Sequence, residues 1–392
     1  MTAFTRLMSD GYRIFFMSAG VYAIFAIGVW DLWLSGHWPG TLSIVEPSPL
    51  WHAHEMIFGY ASAAFAGFFL TAVPSWTGTK AAPMLFIAPV AALWLAGRVA
   101  IWFSAILPAE LVAVVDLAFL PLLASKIAEQ LIRRPKPQNM VFLGFLTAIW
   151  AANLMMHLDW MGVTSGLLDR GLRAGLFGLC AMIAVLGGRV TPAFTRNAMK
   201  RAGVPETGWP HSRKPVEAAT LLCITALPVM MLFRDPDALT GAVAIAGGLL
   251  QFLRMSTWKP LWTLDQPILW ALHLGMAMLA LGLLLYGGSL LGLGSETAAL
   301  HVLGIGCVGG MTIAVMSRAI LGHSGRALIA PGPLAFAYGL VALSALLRWL
   351  GADLLARFYN PMMIGAGLLW MFAFVLFMVT LSPAIFGPRG TD

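Results

Sequence analysis

Two histidines and a glutamate stand where one long apolar run of the sequence begins. The stretch PLWHAHEMIFGY (49–60) contains His52, His54 and Glu55. Ionisable side chains are costly inside a bilayer, and where they occur they indicate a functional site. Imidazole is the commonest metal ligand in proteins and the usual axial ligand of haem. These residue types therefore predict a site that binds a metal ion or a haem.

The spacing within this stretch limits what the two histidines can do together. His52 and His54 are two residues apart, which is about 200° around a helix, so their rings are expected on opposite faces. They then bind two different centres, or His52 lies in a turn before the helix begins. Glu55 and Met56 follow His52 at i+3 and i+4, so either can orient His52 or join it at a metal ion.

The elements that must position these residues are membrane helices. The chain has 392 residues, of which 59% are hydrophobic and 10% charged, whereas soluble domains carry about 25% charged residues. Strand-like alternation is absent, so the sequence predicts an all-α integral membrane protein whose partner is the lipid bilayer. The net charge of +7 arises from basic residues in short loops, so no nucleic-acid partner is expected.

Apolar runs of about 18 residues or more predict about twelve transmembrane helices. No long polar linker separates the runs, so we predict a single membrane domain, 1–392, with six helices on each side of the basic loop 194–214. The predicted helices are approximately 13–34, 50–73, 84–103, 109–132, 138–157, 168–193, 215–233, 236–255, 266–290, 296–320, 332–350 and 360–386. Most of the 24 basic residues fall on one side of this topology, which places both termini in the cytoplasm.

Four histidines lie at one depth near the outer face in this topology. His52 and His54 begin the second helix, His157 ends the fifth, and His301 lies about 8 Å inside the tenth. A single intramembrane histidine often only forms a hydrogen bond between helices. Four at one depth favour an outer metal or haem centre instead.

A second, inner site is indicated by His273, in the inner half of the ninth helix, and by His323, just beyond the tenth. Arg189, Arg196 and Arg318 crowd the cytoplasmic side near His323. Most basic residues there determine topology, but these three are candidate supporting residues of the inner site.

Small residues recur below the outer histidines. The second helix has Gly59, Ala63 and Gly67, and the tenth has four glycines within 304–310. Close packing of helices is the favoured interpretation, and a smooth face that admits a flat macrocycle is the alternative.

Arg98 and Asp116 lie inside the third and fourth predicted helices. A structural ion pair between these neighbouring helices is the favoured interpretation. A proton path or a contact with a haem propionate is the alternative.

Three long motifs resemble the signatures of the NnrS family. They are WHAHEMIFGYASAAFAGFFLTAVPSWTG (51–78), GGRVTPAFTRNA (187–198) and HVLGIGCVGGMTIAVMSRAILGHSGRAL (301–328). The stretch LWALHLGMAMLALGLLL (269–285) is also similar to the ninth helix of that family, so the resemblance covers nearly the whole chain.

This resemblance implies a multi-pass bacterial inner-membrane protein with haem, expected to be of b type, and copper, linked to denitrification and nitric oxide stress. Which histidine binds iron and which copper stays open. The expected haem ligands are His52, His54, His273 and His301, the expected metal ligands are His52, His54, His157, His301 and His323, and the expected supporting residues are Glu55, Met56, Arg189, Arg196 and Arg318.

We expect a protein that handles nitric oxide or a related small gas, or limits its damage, with an electron donor yet to be identified. An enzyme like the haem–copper nitric oxide reductases is one alternative, but the adjacent His-His pair expected for their copper is missing. A twelve-helix small-solute transporter is another, although PSWTGTKAAP (74–83) lacks the Gly/Asp/Arg-rich signature of the major facilitators.

Overall fold

The computed structural model describes residues 2–37 and 48–390, and the elements within these ranges are helical. Twelve of these helices are long and apolar enough to cross a membrane, which confirms the predicted all-α membrane fold. The sidedness of the termini stays a prediction. In chain order the helices are α1 (Gly11–Leu34), α2 (Ser48–Thr77), α3 (Met84–Trp102), α4 (Ala109–Arg133), α5 (Pro137–Trp160), α6 (Leu168–Arg201), α7 (Lys214–Phe233), α8 (Ala238–Met255), α9 (Pro267–Ser289), α10 (Glu296–His323), α11 (Gly332–Asp353) and α12 (Ala356–Phe386).

Proline and glycine set several of the helix ends. Pro137, Pro215 and Pro267 lie in the first turns of α5, α7 and α9. A proline is tolerated there because the first turn needs no backbone N–H for the helix ladder. At the end of α2, Gly78 adopts a left-handed conformation with a φ of 67°, which stops the helix at little steric cost.

Two of the spanning helices contain a π-helical segment. The segment in α2 is Glu55–Ala61, and the segment in α10 is Val302–Gly309. Each begins at the residue after a histidine, His54 in α2 and His301 in α10. Since π-helical segments are rare and are often found at functional sites, these two positions are where a site is expected.

The chain groups into two compact units. The first unit comprises Met1–Gly175, Arg318–Ala327 and Phe374–Asp392, and the second comprises Leu176–Ser317 and Leu328–Ala373. Three of the four boundaries fall inside α6, α10 and α12, and the fourth lies between α10 and α11. The predicted single membrane domain, with six helices on each side of the loop 194–214, stays a prediction.

In the first unit, small residues of α2 bring α1 close. The position that a Cβ on Gly67 would take lies 2.7 Å from the ring of Phe16. The corresponding position on Gly59 lies 2.8 Å from the ring of Tyr22. Close packing of helices is therefore confirmed for these glycines, and no room for a flat macrocycle opens on either.

In the second unit, the glycines of α10 do not all behave alike. A Cβ on Gly309 would lie 2.3 Å from the ring of Trp370, and one on Gly306 would lie 3.0 Å from the side chain of Met278. At Gly304 no described atom lies within 4 Å of that position. Close packing is confirmed for Gly306 and Gly309, while the face at Gly304 is open.

Arg13 joins the two ends of the first unit. Its side chain is 2% exposed, and its Nη1 donates to the carbonyl oxygens of Ile385 at 2.5 Å and Gly387 at 3.0 Å. Its Nε forms an ion pair with Asp10 at 3.2 Å. The beginning of α1 is thereby held against the end of α12.

Candidate metal centre

His54, Asp116 and His157 converge from three helices of the first unit. His54 is the last residue before the π-helical segment of α2, Asp116 lies about two turns into α4, and His157 lies in the last turn of α5. One potential ligand atom from each lies within 4.8 Å of the other two, and all three residues are buried. Two imidazoles and one carboxylate are a common ligand set for a transition-metal ion.

The Oδ2 atom of Asp116 is the point on which both rings converge. It lies 2.9 Å from His157 Nε2 and 3.4 Å from His54 Nε2. The other carboxylate oxygen, Oδ1, accepts a hydrogen bond from Arg98 of α3. Arg98 therefore fixes the carboxylate so that Oδ2 faces the histidines, and the ion pair predicted between Arg98 and Asp116 is confirmed.

Glu55 orients the ring of His54 from the opposite side. Its Oε1 lies 2.8 Å from His54 Nδ1 and 2.5 Å from Arg98 Nη1, and its Oε2 accepts a hydrogen bond from the hydroxyl of Tyr22. Because Glu55 accepts at Nδ1, the Nε2 atom of His54 is directed towards Asp116. Histidines that bind metals usually donate their other ring N–H in this way.

Asn153 completes the surroundings of His54 Nε2. Its Nδ2 donates to Asp116 Oδ2 at 2.8 Å, which turns its Oδ1 towards His54 Nε2 at 2.9 Å. The amide oxygen and the carboxylate oxygen beside this nitrogen can only accept hydrogen bonds. A bound cation stabilises several acceptor atoms that lie close together in a buried position.

Aromatic rings close the group off from its surroundings. The ring of Trp160 lies 5.1 Å from the rings of both His54 and His157, and Phe58 lies 5.1 Å from His54. The indole Nε1 of Trp160 is buried and has no hydrogen-bond partner within the described ranges. The ring next to His54 and His157 therefore carries a donor that has no acceptor among the described residues.

A family model described as NnrS protein matches residues 6–389 of the chain. The chain belongs to the NnrS family. Among curated proteins no match to the chain was found. All three candidate ligand residues of this NnrS-family protein lie within the matched region.

The NnrS motif WHAH contributes one of its two histidines to the group. His54 is 0% exposed, whereas His52 is half-buried and stacks on Trp30 with 4.6 Å between the ring centres. Their different neighbours agree with the expectation that the rings face apart. Glu55 contacts the ring of His54, its neighbour in the chain, at the start of the π-helical segment. Met56 is half-buried.

The structure brings His54 and His157 together, and each of the other predicted ligands is described by its own surroundings. His273 of α9 and His301 of α10 belong to the second unit, where His301 Nδ1 lies 2.7 Å from the carbonyl of Thr297. His323 belongs to the first unit, where its ring centre lies 5.8 Å from that of Tyr12. Ligand roles for these histidines stay predictions.

The predicted supporting arginines have separate surroundings. In the second unit, Arg189 and Arg196 line a cavity of about 160 Å³ together with His211. Arg318 is half-buried in the first unit. Their supporting roles stay predictions.

Sequence reasoning missed several members of the metal centre. Asp116 was expected as the partner of Arg98, with a proton path or a propionate contact as the alternative, and not as a metal ligand, and Asn153, Tyr22 and Trp160 were not singled out. A carboxylate in the middle of a membrane helix was the available signal for Asp116.

Proposed function

We propose that this protein binds a transition-metal ion with His54, His157 and Asp116 and uses it on nitric oxide or a related small gas. Membership of the NnrS family supports the link with nitric oxide. The bacterial inner membrane, cytoplasmic termini and an electron donor yet to be identified are part of the same proposal.

The observation that carries the proposal is the convergence of two Nε2 atoms on one carboxylate oxygen among acceptor atoms. Charge supports it as well. Glu55 and Asp116 bring two carboxylates against the single guanidinium of Arg98, and a bound cation compensates the remaining negative charge. Imidazole with carboxylate suits iron(II) or copper(II).

A haem does not fit this group. Porphyrin nitrogens already occupy the four equatorial positions of a haem iron, so protein ligands approach only along the axis. Here three ligand atoms lie within 4.8 Å of one another, which suits a single ion. The haem implied by the family is therefore proposed to lie elsewhere.

The side chains around the ion have separate tasks in this proposal. When bound, a transition-metal ion would supply a coordination position for nitric oxide and would exchange an electron with it, with the proposed electron donor as the source. Glu55 holds the ring of His54, and Arg98 holds Asp116. The rings of Trp160 and Phe58 exclude water, and the unpartnered Nε1 of Trp160 donates a hydrogen bond to a small gas bound near it.

Metal analysis of the purified full-length protein tests the proposal. We expect His157→Gln to lose non-haem metal and the spectral change that nitric oxide causes at it. His211→Gln, at an exposed position in a loop, is the control and should retain both. Full non-haem metal in both His157→Gln and Asp116→Asn would overturn the assignment.

A further inference from the structure

A cavity of about 330 Å³ lies in the first unit, where α1 begins and α2 and α10 end. Its lining includes Tyr12, the second residue of α1, Thr79, just beyond the end of α2, and His323, the last residue of α10. The ends of spanning helices lie at the membrane surface, so the cavity is at that surface. Small-molecule sites have volumes of about 300–1,000 Å³, so the cavity is large enough for a compact head group.

The cavity also extends from the surface into the apolar layer. Leu70 and Pro74 line it from one face of α2, and Leu70 lies about 10 Å before the end of that helix at 1.5 Å per residue. Ala81 and Ala82 line it from the loop that precedes α3. A ligand that fills the cavity therefore meets polar groups at the surface and apolar groups further in.

The hydroxyl of Tyr12 is buried without a hydrogen-bond partner in the described part of the chain. Tyr12 is 1% exposed, and its ring centre lies 5.8 Å from that of His323. Buried polar groups without partners are uncommon and costly, so this hydroxyl calls for an explanation. An oxygen atom of a ligand in the cavity would supply the missing acceptor.

Two threonines of the lining can only accept further hydrogen bonds. The hydroxyl of Thr71 donates its single hydrogen to the carbonyl of Gly67 at 2.7 Å. The hydroxyl of Thr77 donates to the carbonyl of Val73 at 2.8 Å, so the hydroxyl of Thr79, 2.9 Å from it, donates to Thr77. The oxygens of Thr71 and Thr79 therefore favour a ligand that has O–H groups of its own.

The formal charges of the lining cancel. Among the described residues that line the cavity, those with a formal charge are Asp10 and Arg389, and they form an ion pair with 3.1 Å between Oδ1 and Nη2. Asp10 is also bound by Arg13 at 3.2 Å through its other oxygen. A carboxylate beside the cavity opposes a phosphate group, so a neutral ligand is favoured over the head group of an anionic lipid.

We propose that this cavity binds the head group of a membrane quinol. A quinol is neutral, carries an apolar tail, and has two hydroxyls that can each donate and accept. It can accept from Tyr12 and donate to the oxygens of Thr71 and Thr79. The oxidised quinone has only acceptor oxygens, so the reduced form should bind more tightly. Quinols carry electrons within bilayers, and only that use of the site rests on the function proposed above.

Equilibrium binding of decylubiquinol to the full-length protein in lipid nanodiscs, without oxygen and with empty nanodiscs subtracted, tests this site. We expect saturable binding, weaker binding of decylubiquinone, and a loss of affinity of about three- to tenfold in Tyr12→Phe and in Thr71→Val, as for one neutral hydrogen bond. Thr147→Val is the matched control and should bind like the wild type. Its hydroxyl also donates to the carbonyl four residues before it, but at an exposed position of α5.

Wild-type protein without saturable binding, as expected if a water molecule bonds to Tyr12, would overturn the site. Equal affinity in the wild type, Tyr12→Phe and Thr71→Val, or tighter binding of decylubiquinone, would also do so. Displacement of decylubiquinol by an equal amount of short-chain phosphatidylglycerol would assign the cavity to an anionic lipid instead. Thr79→Val repeats the test if Thr71→Val does not fold. His157→Gln should bind decylubiquinol like the wild type, which separates failure of this site from failure of the His54 centre.

Discussion

Arg98 and Asp116 form an ion pair between α3 and α4, and their side chains are only 5% and 2% exposed. The same guanidinium also binds Glu55 of α2 at 2.5 Å. One arginine therefore joins three helices and holds both carboxylates that shape the candidate metal centre. In a buried pair, loss of one partner leaves an uncompensated charge.

Replacement of Arg98 by Gln should lower the free energy of unfolding by about 3–5 kcal/mol, because two buried carboxylates lose their counter-charge. Thermal unfolding in detergent measures the change. The control is Arg173→Gln, since the Arg173–Asp169 pair spans 4.0 Å with Asp169 73% exposed, and it should cost less than about 1 kcal/mol. Similar losses of stability in the two variants would contradict a stabilising role for the buried ion pairs of Arg98.

Tyr22→Phe should lower stability by about 1.5–3 kcal/mol, because a buried carboxylate oxygen of Glu55 loses its hydrogen bond. Metal content should stay at the wild-type level, since Tyr22 is no ligand. Tyr12→Phe is the control: its hydroxyl is buried and finds no partner among residues 2–37 and 48–390. Its removal should leave the unfolding temperature unchanged or raise it, and a fall as large as that of Tyr22→Phe would count against the reasoning.

Gly309→Ala should lower stability by about 1–3 kcal/mol, because the new methyl would overlap the ring of Trp370. Gly304→Ala, in the same π-helical segment, meets no described atom within 4 Å and should be neutral or gain up to about 1 kcal/mol. Unfolding of both variants in one detergent gives the comparison. The idea fails if Gly304→Ala is the more damaging change.

Arg13→Ala should loosen the end of α12, since the carbonyls of Ile385 and Gly387 lose their donor. Hydrogen exchange of the backbone amides near these residues should become faster, as measured by mass spectrometry. Arg134→Ala, at an exposed position after α4, is the control. Unchanged exchange in Arg13→Ala would show that other contacts hold the two ends together.

The twelve helices and the Arg98–Asp116 pair could be predicted from the sequence. A membrane-spanning helix needs only a local run of apolar residues, so each run is by itself enough to predict one helix. Two opposite charges in neighbouring membrane helices must find each other, since lipid offers neither a partner. His157 and His54 could be assigned one depth for the same reason, because depth follows from position along a helix.

Which side chains meet at that depth could not be predicted. Contact between helices depends on the rotation of each helix about its axis, and hydropathy does not fix that rotation. The π-helical segment after His54 changes the phase of α2 between His54 and Ser62, and hydropathy gives no sign of it. Asn153 reaches the centre from α5, one turn before His157, and an uncharged amide gave no signal in the sequence.

The π-helical segment of α2 also has an evolutionary consequence. Loss of one residue within Glu55–Ala61 would restore an ordinary helix and rotate Ser48–His54 by about 100° against Ser62–Thr77. Gly67 would keep its place against Phe16, while His54 would turn away from Asp116. Deletion of a single codon would therefore keep the membrane fold and abolish the candidate metal centre. Homologues that are one residue shorter in this segment should have the same helices but lack the centre.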